Sequence, residues 1–400
     1  MLPRLHMPRL ISLCALVLLV AGVRPAASSE TLTVERERYL MGTRFTVLLQ
    51  GEDRAALESA ASAAFDAVAR YEDVTSNWRA DSELSKLHAA IDAQGAGRPR
   101  PVAVSGDLYD VLAAARSWCQ RSEGAFDATV EPLTRAYDLR GAGRMPGEAD
   151  LAAARARVQG RDVVLDPAAR TVHGARAGIA FDLAGIAKGA AIDRAVGILR
   201  ARGVTRALLN FGGQLYGLGA PIGGAAWTVD LADPRDRARP LATVSLRDRS
   251  VSTTASSERS LRVGDTTINH VLDPRTGRPS PAWGAAVVLA ARAIDADAAS
   301  TALYVLGPVE GAAWASRQAD LEALLLVEDA AIAGGLRIER VAPSVAMMAA
   351  AQGPGGTPDN AELARRIEVL AGEVEDMKLG EVAAPAGTPR FGLGPAASKV

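Results

Sequence analysis

RAALESAASAAFDAVARY, residues 54–71, sets a face of alanines and larger apolar residues against a face of Arg, Glu, Ser and Asp, the pattern of an amphipathic helix. Just before it, residues 33–47 alternate and are rich in β-branched side chains, which predicts strands. Strands running into a helix open an α/β pattern, and the same mixture continues outward along the chain. Residues 108–122, 148–158 and 184–202 carry helical spacing, whereas 162–165, 207–209, 228–231, 243–246 and 285–290 read as strands. Because helices and strands are interspersed, the expected fold is α/β (α+β), with sheet layers covered by helices, in place of a sandwich or a bundle.

The chain has 400 residues, nearly half of them apolar, enough for one large domain or two ordinary ones. Its formal net charge of -1 leaves no global field to hold nucleic acid or an anionic membrane, so an anionic ligand must be met by a local site. Arg4 and Arg9, an apolar run over 10–22 and the small residues Pro25-Ala26-Ala27-Ser28-Ser29 follow the order of a secretory signal peptide, expected to cover residues 1–28. The run falls short of the roughly 20 residues that a membrane span needs, which favours export to the periplasm over attachment to the inner membrane. Cys14 sits behind bulky Leu13 inside that run, against lipidation, and its removal would leave only Cys119, which excludes an intramolecular disulfide.

After residues 31–342, read as the catalytic domain, composition shifts to Ala, Gly and Pro, and 343–360 reads as a linker. In 361–380, Leu363, Ile367, Leu370, Val374 and Met377 recur at heptad spacing, the pattern of a helical extension that either self-associates or docks on the catalytic domain. Residues 381–400 read as disordered or as a partner-docking strand.

Three segments can carry chemistry. In Phe181-Asp182-Leu183-Ala184-Gly185-Ile186-Ala187-Lys188-Gly189-Ala190-Ala191 a short strand is expected to meet a small-residue turn and then a helix, whose unpaired N–H groups suit phosphate. Lys188 adds a full charge, although small residues at such a turn also serve packing. Residues 268–277 place His270 beside an Asp273-Pro274 turn, where a histidine is either structural or a base, and Arg275 either a surface charge or a phosphate clamp. In Asp295-Ala296-Asp297-Ala298-Ala299-Ser300-Thr301, Asp297 and Thr301 lie four apart on one helical face and can share a hard cation such as Mg²⁺; alternatively, Asp295 or Asp297 caps the helix. Asn210-Phe211-Gly212-Gly213-Gln214 is a tight turn or a backbone platform beside a ligand, and Phe126 within Gly124–Thr129 is either core or a surface for a ring.

Taken in order, these segments resemble the FAD:protein FMN transferase (ApbE-like) family. The matches are Met41-Gly42-Thr43, Asp81-Ser82-Glu83-Leu84, Gly124-Ala125-Phe126-Asp127, Asp182 to Gly189, Asn210 with Gly212-Gly213, Ser252 to Arg259, His270 with Asp273 to Gly277, and Ala296-Asp297 with Ser300-Thr301-Ala302. Ala255 stands where the family usually has Gly. The resemblance implies an exported enzyme with a flavin-binding groove. It also implies Mg²⁺ held by the Gly185 carbonyl, Asp297 and Thr301, and FAD contacts from Met41, Trp78, Ala125, Phe126, Asp127, Asp182, Lys188 and Val271.

The implied reaction moves FMN from FAD to a Thr or Ser hydroxyl of a target protein, one that serves in electron transfer, and releases AMP. The hydroxyl attacks phosphorus in line, and the metal and Lys188 neutralise developing charge. His270 is the candidate base, oriented by Asp273 or another carboxylate, with Asp297 the other candidate catalytic residue. Two other functions stay open: hydrolysis of FAD to FMN and AMP, and a non-enzymatic periplasmic flavin carrier.

Overall fold

The computed structural model describes residues 31–258, 260–329, 331 and 335–341. The expected signal peptide, linker, heptad-like helix and tail lie outside the described residues. Among the described residues eight strands form the main sheet: β1 (Leu32–Leu40), β2 (Thr43–Gly51), β3 (Ala207–Phe211), β4 (Gln214–Leu218), β5 (Arg249–Ala255), β6 (Gly284–Ala290), β7 (Leu321–Glu328) and β8 (Leu336–Val341). They lie side by side in chain order, and each pairs antiparallel with its neighbour. Met41 and Gly42, at φ 47 and 76, supply the left-handed pair that a two-residue hairpin between β1 and β2 requires.

Six helices are inserted between β2 and β3: α1 (Arg54–Thr75), α2 (Glu83–Asp92), α3 (Gly106–Arg121), α4 (Glu131–Ala136), α5 (Glu148–Arg155) and α6 (Ala187–Ala201). The long α7 (Ala293–Ala315) connects β6 to β7, broken at Gly307 (φ 77) just before Pro308. The period-2 alternation of strands decides what each face buries. Val47, Leu49, Leu209 and Phe211 pack with α1 and α6. Leu48, Leu208, Leu215, Val287 and Leu289 pack instead with a hairpin of Trp227–Asp233 and Asp236–Leu246 that covers the opposite face. The α/β (α+β) expectation of a helix-covered sheet therefore holds.

Local differences have local causes. The short strand expected at the head of the 181–191 segment does not form: Phe181 N donates to His88 Nε2 at 2.9 Å and Asp182 N to the Ala128 carbonyl at 2.6 Å, so the segment is tied to loop and helix and not to a sheet. Consequently α6 starts at Ala187, three residues later than its pattern suggests. The strand expected at 162–165 is Val164–Asp166, in a separate three-stranded sheet with Val102–Ala103 and Thr171–His173.

Candidate active site

The first turns of α6 and α7 are held together by contacts that begin with a glycine. A Cβ on Gly189 would lie 2.3 Å from the Ala293 carbonyl oxygen, so only glycine permits this crossing. Its N–H donates to Asp297 Oδ2 at 2.9 Å. From α6, the carboxylate of Asp193 accepts from Ala293 N at 2.7 Å and Ile294 N at 3.0 Å, capping α7 from outside it. Neither Asp295 nor Asp297 is that cap. Arg292 occupies the N-cap position and makes no side-chain cap bond, while Asp295 accepts from Trp118 Nε1 at 3.0 Å. On the sheet side, Gln214 Nε2 donates to the Ala293 carbonyl at 2.7 Å.

Where these helix starts meet the β3–β4 turn and the end of β5, a cleft opens with about 1060 Å³ of free space, its mouth included. It is lined by Ala125, Phe126, Asp127, Asp182, Gly185, Lys188, His270, Val271, Asp297 and Thr301, ten of the residues singled out from sequence. Gly212, Gly213, Gln214, Thr134, Ser252 and Thr254 also line it. Gly212 and Gly213, at φ 59 and 97, form both the tight turn and part of the cleft wall. Met41 and Trp78 are not among the lining residues. Met41 packs partly buried on the core and donates its N–H to Glu72, whereas Trp78 is 65% exposed, its ring 5.9 Å from the Arg140 guanidinium carbon.

Asp297 is buried, and burial pushes its carboxyl above the usual carboxylate range against the opposing pull of Lys188 and the Gly189 N–H. Lys188 Nζ stands 3.9 Å from Asp297 Oδ1, an ion pair beyond hydrogen-bond length, and donates to the Ala184 carbonyl at 3.4 Å. Ser300 Oγ, 2.9 Å from Thr254 Oγ1 and 3.2 Å from Ser252 Oγ, ties α7 to β5 behind the carboxylate. A Cβ on Gly185 would meet Thr301 Oγ1 at 3.1 Å and Phe126 at 3.3 Å, so this backbone lies against both. Phe126 belongs to the core and lines the cleft at once.

The other candidates divide by role. Asp127 spends its carboxylate on the fold, accepting from Thr129 N and Oγ1, both at 2.7 Å, and from Gly160 N at 3.0 Å. Asp182 accepts from Ala184 N at 3.0 Å, Thr134 Oγ1 at 3.1 Å and Arg140 Nη2 at 2.8 Å, which shapes the turn leading to Gly185. Asp273, the candidate to orient His270, accepts from Arg275 Nε at 3.0 Å and Nη2 at 3.1 Å; Arg275 also pairs with Glu310 and is not among the residues that line the cleft. Ala255, in the place of the family's glycine, is buried against the hairpin-covered face and does not line the cleft.

Among the described residues no three His, Cys, Asp or Glu side chains gather as a metal site. A cation here would need carbonyl and hydroxyl oxygens beside the single carboxylate of Asp297, a donor set suited to hard Mg²⁺ and not to zinc. The burial of Asp297 on the cleft lining, with its Oδ1 3.9 Å from Lys188 and so beyond hydrogen-bond length, fits such a group. Arg140, Asp193, His88 and Gln214 were not singled out by their side chains; Gln214 alone lay within a quoted motif.

An antiparallel sheet in chain order, helix-covered, with this cleft at two helix starts, is the fold of flavin transferases. It matches Pseudomonas stutzeri flavinyl transferase ApbE at 27% identity and TM-score 0.67, over 78% of this chain and 95% of that one. The ApbE protein of Thermotoga maritima matches at 25% identity and TM-score 0.69, over 77% and 97%. The ApbE family model covers residues 41–325, and the chain belongs to the ApbE family. A relative from Klebsiella pneumoniae, named FAD:protein FMN transferase, is 30% identical over 293 residues, 72% of this chain and 88% of the relative. One of the same name from Treponema pallidum is 31% identical over 313 residues, 74% and 84% respectively.

Proposed function

We propose that this chain is an Mg²⁺-dependent FAD:protein FMN transferase that moves FMN from FAD to a Thr or Ser hydroxyl of a target protein and releases AMP. The observation that carries the reading is the convergence of Lys188, Gly185, Asp297 and Thr301 in one cleft of an ApbE-family chain. The N-terminal pattern supports action in the periplasm, which cell fractionation tests.

In the reaction the acceptor oxygen bonds to the FMN phosphorus as the bond from that phosphorus to the AMP oxygen breaks. AMP leaves readily, since a phosphate monoester has a second pKa of about 6. Lys188 places positive charge where the phosphoryl oxygens gain negative charge, and the backbone at Gly185, Gly212 and Gly213 admits the ligand closely. His270, on the cleft wall, takes the hydroxyl proton. The Gly185 carbonyl, Asp297 and Thr301 would hold Mg²⁺, which when bound supplies further positive charge against the diphosphate.

Mass spectrometry of a Thr- or Ser-bearing acceptor incubated with the chain, FAD and Mg²⁺ is the test. A covalent FMN adduct is expected, lost on chelation and regained with added Mg²⁺. Free FMN without adduct would mean hydrolysis, and intact FAD would mean a carrier. Asp297→Ala should lower transfer by about 10²-fold or more. Unchanged transfer by His270→Ala would remove that residue as the base.

A further inference from the structure

Arg140 does not line the cleft, yet it binds groups that shape it. Its Nη1 donates to Glu131 Oε1 at 2.9 Å and its Nη2 to Glu131 Oε2 at 2.5 Å, while Nη2 also reaches Asp182 Oδ2 at 2.8 Å. Glu131 is 2% exposed and further accepts from Arg135 Nε at 2.7 Å. Asn77 joins this cluster to the cleft segment by donating to the Phe181 carbonyl at 2.8 Å.

We propose that Arg140 is a positioning residue for FAD: it holds the Asp182 carboxylate in the orientation that shapes the 184–186 turn, and it cancels that carboxylate's charge beside an anionic ligand. The inference rests on the reading that the cleft holds FAD. With Arg140 in place, two carboxylates, Glu131 and Asp182, face two guanidiniums, Arg135 and Arg140. Without it, Asp182 keeps the Thr134 hydroxyl and the Ala184 N–H but no cation, and an FAD diphosphate meets an uncompensated negative charge on the cleft wall. The Asp182 Oδ1 bond to Ala184 N sits at the head of the turn that delivers Gly185 and Lys188, so a loosened carboxylate also loosens the phosphate end of the site.

A double-mutant cycle on the full chain tests this, with FAD affinity measured by titration calorimetry and folding by thermal melts. Arg140→Gln should weaken FAD binding about tenfold or more in the wild-type background, but less than about threefold in an Asp182→Asn background, because there the charge to be cancelled is gone. Equal losses in both backgrounds, or a wild-type-like affinity of Arg140→Gln, would overturn the inference while leaving the functional reading intact. A wild-type chain that does not bind FAD overturns the functional reading and the inference with it. If Arg140→Gln lacks a cooperative melt, Arg140→Lys, which keeps the charge beside buried Glu131 but donates from one nitrogen, carries the same cycle. Its expected loss of about threefold or more in wild type, and none with Asp182→Asn, is read in the same way.

Discussion

Gly189→Ala should damage the site although alanine is the better helix former. In a helix interior that substitution ordinarily stabilises by up to about 1 kcal/mol. Here the new methyl would lie 2.3 Å from the Ala293 carbonyl oxygen and 2.7 Å from both the Ala293 carbonyl carbon and the Ile294 Cα. All three are backbone atoms of the first turn of α7 and cannot rotate away. Restoring a contact of about 3.4 Å means parting the two helices by about 1 Å, which stretches the 2.9 Å bond from Gly189 N to Asp297 beyond useful length. Such overpacking costs about 1–3 kcal/mol, and a displacement of about 1 Å between Lys188 on α6 and Asp297 on α7 can lower turnover about 10²-fold. Gly197→Ala, on the same helix with nothing within 4 Å of its new Cβ, is the control and should melt at or above wild type with full transfer. Thermal melts and FMN transfer to an acceptor would be measured on both. If Gly189→Ala behaves like Gly197→Ala, the close crossing is not what holds the site.

Asp193→Ala removes the carboxylate that caps α7 and should destabilise by about 1–2 kcal/mol, with transfer reduced as well; an unchanged melt would refute the capping role. His88 is buried, which holds its pKa below the ordinary value of about 6.5, and its Nε2 must stay unprotonated to accept from Phe181 N. The unfolded chain therefore takes this proton first, so the His88 contribution is full above about pH 6.5 and is lost as pH falls below it toward the folded value. Urea melts from pH 8 to 5 should show that decline, and His88→Gln should flatten it. Ala255→Gly trims a buried methyl outside the cleft and should cost about 1 kcal/mol while leaving FAD affinity unchanged; tighter binding would mean that this position does shape the cleft.

Much of the fold was legible because helix and strand periodicities are local. The 54–71 pattern is α1 with one further turn, and the strands at 207–209 and 285–290 lie within β3 and β6. Local features marked the glycine turns, Lys188 and the Asp297/Thr301 pair, and the family resemblance added others, so that ten residues singled out from sequence line one cleft. The resemblance could not show that Trp78 and Met41 lie off that lining, nor could spacing show that Asp273 accepts from Arg275. Nor could it find Asp193, which caps a helix 100 residues away, or the bond from Gly189 to Asp297 across 108 residues. Those partners are chosen only when the α6–α7 crossing closes. A backbone N–H or a carboxylate carries no mark in sequence of the distant group that will satisfy it; burial makes the bond obligatory, and packing alone selects the partner.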